Sequence, residues 1–480
     1  MPPRVCVLSP AWADSTIDYR SYDPPRDLSR LWPEADVTHV ALHKATVYRQ
    51  LRALRREGFD VYVNLCEGYL DWDVPSIDVI HSLEALELPY TGPSAALYDP
   101  PKHLMKRVAF YADVAVPEHV LARTDADVEE AARALRFPLF VKPDRGGDSL
   151  GIDASSRCED AAALRRVARR VMDEFDEVII DEYVDGRELS VLVAAPAEPG
   201  GEVLALRPVE FVFSPDEPFK TYELKTTRYL PERNVPCDDP ALDRALRDAA
   251  RAVFRAFGGV GYARMDFRVG HDGTPRLLDV NFACSIFYGE GAYGTADYIL
   301  MHDGMGQAAF LRHVVAEGIA RHRARQPLYE VFRSPRAGLG IRAKRAILRG
   351  EVVFRGEERA QRLATRRHVE TRWSAEDALT YRRYAYPVSD EVRILWDADP
   401  AAWAPQNHSC DPSTAYDGLD VVALRDLAPG EELTLDYASF CDEGMEPFAC
   451  RCGAARCRGT IAGATGNSVD RRERARREGA

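Results

Sequence analysis

The run Asn407-His408-Ser409-Cys410-Asp411-Pro412 fits neither regular periodicity. An amphipathic helix needs apolar residues every three or four positions, and a half-buried strand needs one at every second. Here polar or reactive side chains follow one another, and Pro412 removes a ladder N–H. The run is a shaped loop, and loops held on a rigid frame often carry function. Two later stretches are suited to meet it. Glu431–Tyr437 reads as a strand ending in a tyrosine, and Cys450-Arg451-Cys452 with Cys457 forms a cysteine cluster. Cys410 is the natural fourth partner for those three.

The chain around this loop is 480 residues long, too long for one core, and it suggests three or more domains. Its apolar share of 46% is that of a globular protein. The formal net charge of −13 repels phosphate backbones, so nucleic acid is not an expected partner. The apolar run Val5–Leu8 is too short for a signal-peptide core. No stretch approaches the ~20 apolar residues of a membrane span. A cytoplasmic protein with reduced cysteines and no membrane partner is therefore expected. Seven of the ten cysteines are scattered and read as small buried apolar residues. The three clustered at 450, 452 and 457 suggest metal rather than disulfide.

The chain begins as an α/β region. Val5–Leu8 and Val61–Leu65 read as buried parallel strands. Val47–Gly58 and Ile77–Leu88 read as helices, the first stopped at Gly58. Strand alternating with helix implies a parallel sheet. Asn64-Leu65-Cys66-Glu67-Gly68 follows a strand's carboxyl end, where open α/β sheets bind ligands. A capping turn is the plainer reading of the same residues.

Phe140-Val141-Lys142-Pro143 is a strand running into the glycine-rich stretch Asp144–Ile152, where backbone N–H groups can crowd around an anion. Val178–Val184 and Leu189–Ala194 are further strands, with Glu182 and Glu188 beside them. In Ala263-Arg264-Met265-Asp266-Phe267 and Leu277-Leu278-Asp279-Val280-Asn281, alternation puts Arg264 with Asp266 and Asp279 with Asn281 on one sheet face. Two carboxylates, an amide and an arginine there suit Mg²⁺ and phosphate. A surface hairpin with an ion pair is the alternative.

Residues 1–325 resemble the ATP-grasp fold in its D-alanine–D-alanine ligase-like branch. The resemblance rests on Leu88-Pro89-Tyr90-Thr91-Gly92, Val141-Lys142-Pro143 with its glycine-rich loop, Glu182–Glu188, Arg264–Phe267 and Asp279-Val280-Asn281. It implies that Lys102, Lys142, Ser149 and Lys225 bind the phosphates of ATP, and that Glu182 and Glu188 hold adenine and ribose. It also implies Mg²⁺ on Asp266, Asp279 and Asn281, with Arg264 catalytic at the charge of an acyl phosphate. The family reaction joins a small-molecule or peptide carboxylate to an amine. This chain departs from the pattern after Asn281, where Phe282-Ala283-Cys284-Ser285 stands for Thr-x-Pro-Gly. Asp279 replaces a glutamate, Thr226 a tyrosine, and Leu8–Trp12 holds no glycine-rich turn. The resemblance thus implies ATP and Mg²⁺ without D-alanine dipeptide synthesis. A nucleotide- or substrate-binding module serving the rest of the chain is the alternative.

Beyond the basic, proline-ended stretch 321–327, Ser334–Val353 reads as a turn and two short strands, with Gly338-Leu339-Gly340 at the bend. Ala423–Thr434 reads as strand, Pro-Gly turn and strand. With Asn407–Pro412 and Asp436-Tyr437 these resemble the SET domain of protein-lysine methyltransferases, and Phe448–Gly459 resembles its post-SET zinc segment. By that resemblance Cys410, Cys450, Cys452 and Cys457 hold Zn²⁺. Gly338, Leu339, Gly340, Asn407, His408 and Phe448 bind S-adenosylmethionine, and Tyr437 is catalytic toward a lysine of a protein substrate. Ser413 stands where the family carries Asn, and Leu435 where an aromatic often limits methylation.

The expected architecture is multidomain α/β. An α/β subdomain spans 1–98 and an ATP-grasp domain of two α+β subdomains spans 99–325. A linker, 326–332, leads to a mainly β SET domain at 333–440, a post-SET zinc segment at 441–465 and a disordered tail at 466–480.

Overall fold

The computed structural model describes residues 2–11, 23–68, 73–147, 150–198, 200–214, 219–220, 231–336, 338–359, 361–389, 391–396, 404–443 and 445–463. Ser149, Lys225, Thr226 and the tail from 466 lie outside the described residues. The chain divides into two compact units, Met1–Arg325 and Gln326–Ala480.

Among its described residues, the first unit contains three sheets. In a parallel one, Arg4–Pro10 lies between Asp36–Leu42 and Val61–Asn64. The strand Asp36–Leu42 is absent from the sequence reading; it is a half-exposed edge strand without a clean apolar alternation. The predicted first helix runs Val47–Leu54, followed by a 3-10 turn at Arg55–Glu57. Gly58 ends it at φ +70°, a conformation that costs a side-chain-bearing residue energy.

A second sheet, fully antiparallel, has the order His119–Ala122, Val178–Glu182, Leu139–Pro143, Arg157–Cys158. The helix Ala161–Phe175 covers it. Leu164, Val167, Ala168 and Val171 recur at helical spacing and are buried, and the Asp160 carboxylate caps the first turn. The third sheet runs Asn234–Pro236, Val209–Phe211, Gly186–Ala194, Tyr262–Gly270, Pro275–Asn281, with Leu204–Ala205 paired to Gly186–Ala194. The helix Pro240–Ala256 buries Leu246, Ala250, Val253 and Phe254 in an apolar cluster with Met265 and Phe267. Another cluster joins Val5, Val63 and Leu65 to Leu192, Phe310 and Val314.

The second unit is mostly short strands. One sheet has the order Tyr329–Arg333, Leu339–Ala343, Glu432–Leu435, Asn407–His408, the last pair parallel. A second has the order Val352–Phe354, Asp420–Ala423, Thr414–Asp417, and a third Arg362–Thr365, Val392–Leu395, Tyr386–Pro387. Two helices, Arg366–Arg372 and Ala375–Tyr384, fill the insert ahead of the central loop. Its main core gathers Ile341, Phe354, Ile394, Trp396, Val421, Leu433 and Leu435. Among the described residues, each apolar cluster draws its members from a single unit.

Candidate functional site

In the first unit the predicted carboxylate pair is built by strand register. Arg264 lies opposite Asn281, and Asp266 opposite Asp279, with the register shift falling just after, between Asp266 and Phe267. Asp266 is a hub. It accepts from the Ser190 hydroxyl at 2.6 Å, from Arg264 Nε at 3.0 Å and from Asn281 Nδ2 at 3.3 Å. Asp279 shares the cleft with it, its Oδ1 accepting from the Val280 N–H at 3.0 Å.

That cleft, about 820 Å³ of space that is partly open to solvent, is also lined by Lys102, Lys142, Gly146, Gly147, Asp181, Glu188, Lys220 and Arg268. Lys102 opens a helix whose backbone N–H is tied to the Asp144 carbonyl at 2.7 Å, and its ammonium donates to the Gly146 carbonyl at 2.6 Å. Lys142 pairs with Asp181 at 3.2 Å. Asp181 also pairs with Lys106 at 3.1 Å, and burial pushes the Lys106 ammonium down to about 8. Glu188 is held between Lys220 at 3.1 Å and Arg268 at 3.2 Å.

Glu182 lines the same cleft. Its carboxylate is taken at the cleft edge by the Arg136 N–H and guanidinium, each at 2.9 Å. Neighbouring strand residues face opposite sides, and it is Asp181 that meets the lysines. Asp181, Lys106 and Lys220 were missed. The pair Asp181-Glu182 offered the signal, but its parity is unreadable without the strand's partners.

Oxygen ligands from Asp266, Asp279 and Asn281 on adjacent strands match what Mg²⁺ prefers, and the lysines match phosphate. The donor set fits a metal–nucleotide pair.

In the second unit the central loop gathers the predicted residues. Cys410, Cys450, Cys452 and Cys457 bring their sulfur atoms within 4.8 Å of one another, a group that could hold a metal ion. Four thiolates about 2.3 Å from one Zn²⁺ would stand ~3.8 Å apart. Cys410 and Cys450 are 3.9 Å apart, so the set fits with little movement. The Arg458 and Cys452 N–H groups donate to the Cys410 and Cys450 sulfurs, each at 3.4 Å, as suits thiolates.

His408 follows in the short strand Asn407–His408. Its ring contacts Tyr437 at 5.5 Å and Phe448 at 5.8 Å between centroids. Burial pushes its imidazole below the ordinary value. The Tyr437 N–H donates to His408 Nδ1 at 3.2 Å, and its hydroxyl donates to the Gln406 carbonyl at 2.6 Å. Burial raises the Tyr437 phenol well above its usual range. The expected strand stops earlier, at Leu435. Asp436 accepts the Ala438 N–H at 3.1 Å and so caps a 3-10 turn that carries Tyr437.

Gly338 sits in the hairpin turn at φ +52°, while Leu339 and Gly340 open the returning strand. A Cβ at Gly340 would lie 2.8 Å from Asn407 Nδ2 and 2.9 Å from Glu432 Oε1, so this glycine makes room for protein atoms. Glu432, also missed, accepts from Asn407 Nδ2 at 2.8 Å and from the Ser334 hydroxyl at 2.6 Å, and pairs with Arg336 at 3.1 Å. Its strand was legible, but its partners lie 25 to 98 positions away.

Comparison with known families follows the same division. Residues 108–285 match the family described as D-ala D-ala ligase C-terminus, and residues 338–438 match the SET domain. The D-alanine–D-alanine ligase of Laribacter hongkongensis is 30% identical over 239 residues, covering 49% of this chain and 72% of that protein. The chain belongs to the D-alanine–D-alanine ligase family, fused to a SET domain. The ligase of Dechloromonas aromatica is 32% identical over 211 residues, 42% of this chain, and the chain spans 64% of its length. Of the Cupriavidus pinatubonensis ligase it spans 59%. The D-alanine–D-alanine ligase of Bacillus anthracis complexed with ATP superposes with a TM-score of 0.50 at 16% identity, over 68% of this chain and 100% of that one. That likeness shows the ATP-grasp fold of the ligase unit. Among the described residues, no helix is long and apolar enough to cross a membrane.

Proposed function

We propose that the chain is a two-module enzyme. Its ligase unit joins a carboxylate to an amine at the expense of ATP, and its SET unit methylates a protein lysine with S-adenosylmethionine. The observation that carries the reading is the register pairing of Asp266 with Asp279 and of Arg264 with Asn281 inside a lysine-rich cleft. Mg²⁺ held there would neutralise phosphate charge. Lys102 and Lys142 would bind the phosphates, and the Arg264 guanidinium would stand where negative charge grows in the transition state. Asp181 fixes Lys142, and the Lys220–Glu188–Arg268 chain would orient the nucleoside end.

In the SET unit, Cys410, Cys450, Cys452 and Cys457 would hold Zn²⁺, which closes the C-terminal segment over the central loop. That closure sets Phe448 against His408 and Tyr437. Tyr437 would orient the lysine amine in a dry passage, where desolvation lowers the amine's pKa and alignment supplies much of the rate.

The test is to incubate the purified full chain with labelled S-adenosylmethionine and a cell lysate, with and without ATP, and to measure ADP release with a panel of carboxylates and amines. Labelled protein and acceptor-dependent ADP are expected. No ADP with any pair would favour the second reading, a binding module serving the methyltransferase, which the altered run Phe282–Ser285 supports.

A further inference from the structure

A helix leaves its first backbone N–H groups without intrahelical partners, and a side chain just before it usually caps them. The helix Lys102–Tyr111 begins after Pro101, which supplies no side-chain cap. Its cap comes from far downstream. The Asp144 carbonyl accepts the Lys102 N–H at 2.7 Å, and Asp144 Oδ1 accepts the His103 N–H at 2.9 Å. The other carboxylate oxygen, Oδ2, accepts from His103 Nδ1 at 2.7 Å. One residue thus binds both oxygens of a buried carboxylate. Asp144 is fixed from the other side as well, its N–H donating to the Glu177 carbonyl at 3.1 Å. The Glu177 carboxylate stands close to the same pair but is taken by Arg123 at 2.5 Å.

Asp144 is the root of the glycine-rich loop and follows directly on the strand Leu139–Pro143. Just beyond it, Gly146 at φ +93° and Gly147 line the lysine-rich cleft. Lys102 lines it too, and its ammonium donates to the Gly146 carbonyl at 2.6 Å. The lysine and the loop are therefore set by one join between a helix start and a strand end. Neither His103 nor Asp144 is among the described residues lining that cleft, so their effect on a ligand passes through Lys102 and the loop. Glycines leave backbone N–H groups free to turn toward an anion, and that freedom is lost as entropy when the anion binds. A loop ordered in advance spares the ligand this cost.

We propose that His103 is a positioning residue for the nucleotide: by clasping Asp144 it holds Lys102 and the glycine-rich loop in phosphate-binding shape before ATP arrives. This rests on the ligase reading above and adds the residue that orders its phosphate site in advance. The backbone half of the clasp survives any substitution at 103. The imidazole half does not, and it is the part that can be tested.

The test measures, by calorimetry, binding of a non-hydrolysable ATP analogue with Mg²⁺ to the full chain. His103→Leu keeps the bulk of the side chain and removes its donor. His103→Asn places an amide nitrogen at the same bond distance from Cβ as Nδ1 and so keeps the donor. The His103→Leu variant should bind the analogue about three- to tenfold more weakly, the loss expected when the shaped loop falls to between roughly a third and a tenth of the population. The His103→Asn variant should bind like wild type. Without nucleotide, hydrogen exchange over 102–106 and 144–147 should be faster in His103→Leu, and saturation with the analogue should restore the wild-type rates. Rescue by asparagine, with protection regained on binding, is a pattern that a general structural defect would not give. A His103→Leu variant that binds like wild type, or a His103→Asn variant that binds as weakly as His103→Leu, would overturn the assignment while leaving the ligase reading intact. A wild-type chain that binds no adenine nucleotide would remove both.

Discussion

Replacing Cys410 by serine separates the metal reading of the second unit from its alternatives. Cys410 and Cys450 lie 40 positions apart, so a shared ion closes a long loop and links the central segment to the C-terminal one. A structural thiolate site binds Zn²⁺ with about 10–16 kcal/mol, or roughly 2.5–4 kcal/mol for each of four ligands. Losing one ligand should therefore weaken zinc by about two to three orders of magnitude. Competition with a chromogenic chelator measures the affinity, and elemental analysis of tag-free protein gives the stoichiometry, expected at about one equivalent for wild type. Hydrogen exchange across 448–461 should rise in Cys410→Ser, because Phe448 loses the tether that seats it against His408. Cys441→Ser is the control, since Cys441 is no member of the cluster. If Cys410→Ser held zinc as tightly as wild type, or if wild type held none, the four-sulfur argument would fail.

Three further outcomes are expected. Tyr437→Phe strands the Gln406 carbonyl, should destabilise the SET unit by about 1–2 kcal/mol in denaturant melts, and should stop methyl transfer while ATP turnover persists. Asp181→Asn leaves Lys106 and Lys142 without their buried counter-charge. Calorimetry should show the ligase unit losing about 3–5 kcal/mol and nucleotide binding weakened. The third concerns pH. Burial raises Glu67 from 4.5 to about 7, so the folded chain keeps this proton longer than the unfolded one. Its ionisation cost is absent below the unfolded value, grows as pH rises through that window and is complete above it. The melting temperature of wild type relative to Glu67→Gln should accordingly fall between pH 5 and 7; a flat difference would refute it.

Much of the site was legible because its chemistry follows local rules. Alternation along Ala263–Phe267 and Leu277–Asn281 sorts the polar face from the apolar one without knowledge of any partner. A cysteine cluster in a chain of reduced thiols has few other meanings. What stayed hidden depends on parity or distance. Asp181 and Glu182 are adjacent acids, and only pairing with Leu139–Pro143 decides which one meets lysine. Arg26 looks like a surface arginine until folding buries it against Glu67, 41 positions on. The edge strand Asp36–Leu42 shows no alternation because neither of its faces is fully covered. Tyr437 looked like a strand end because its polypeptide breaks away only at Asp436, whose cap is a local device easily read as part of the run.

Among the described residues, each apolar cluster lies on one side of Arg325, and this bears on how such a protein can evolve. Among the described residues, the cluster around Phe254 and Phe267 shares no member with the one around Trp396 and Leu433. A lineage that stopped the gene near Gln326 would keep whole the described apolar clusters of the first half.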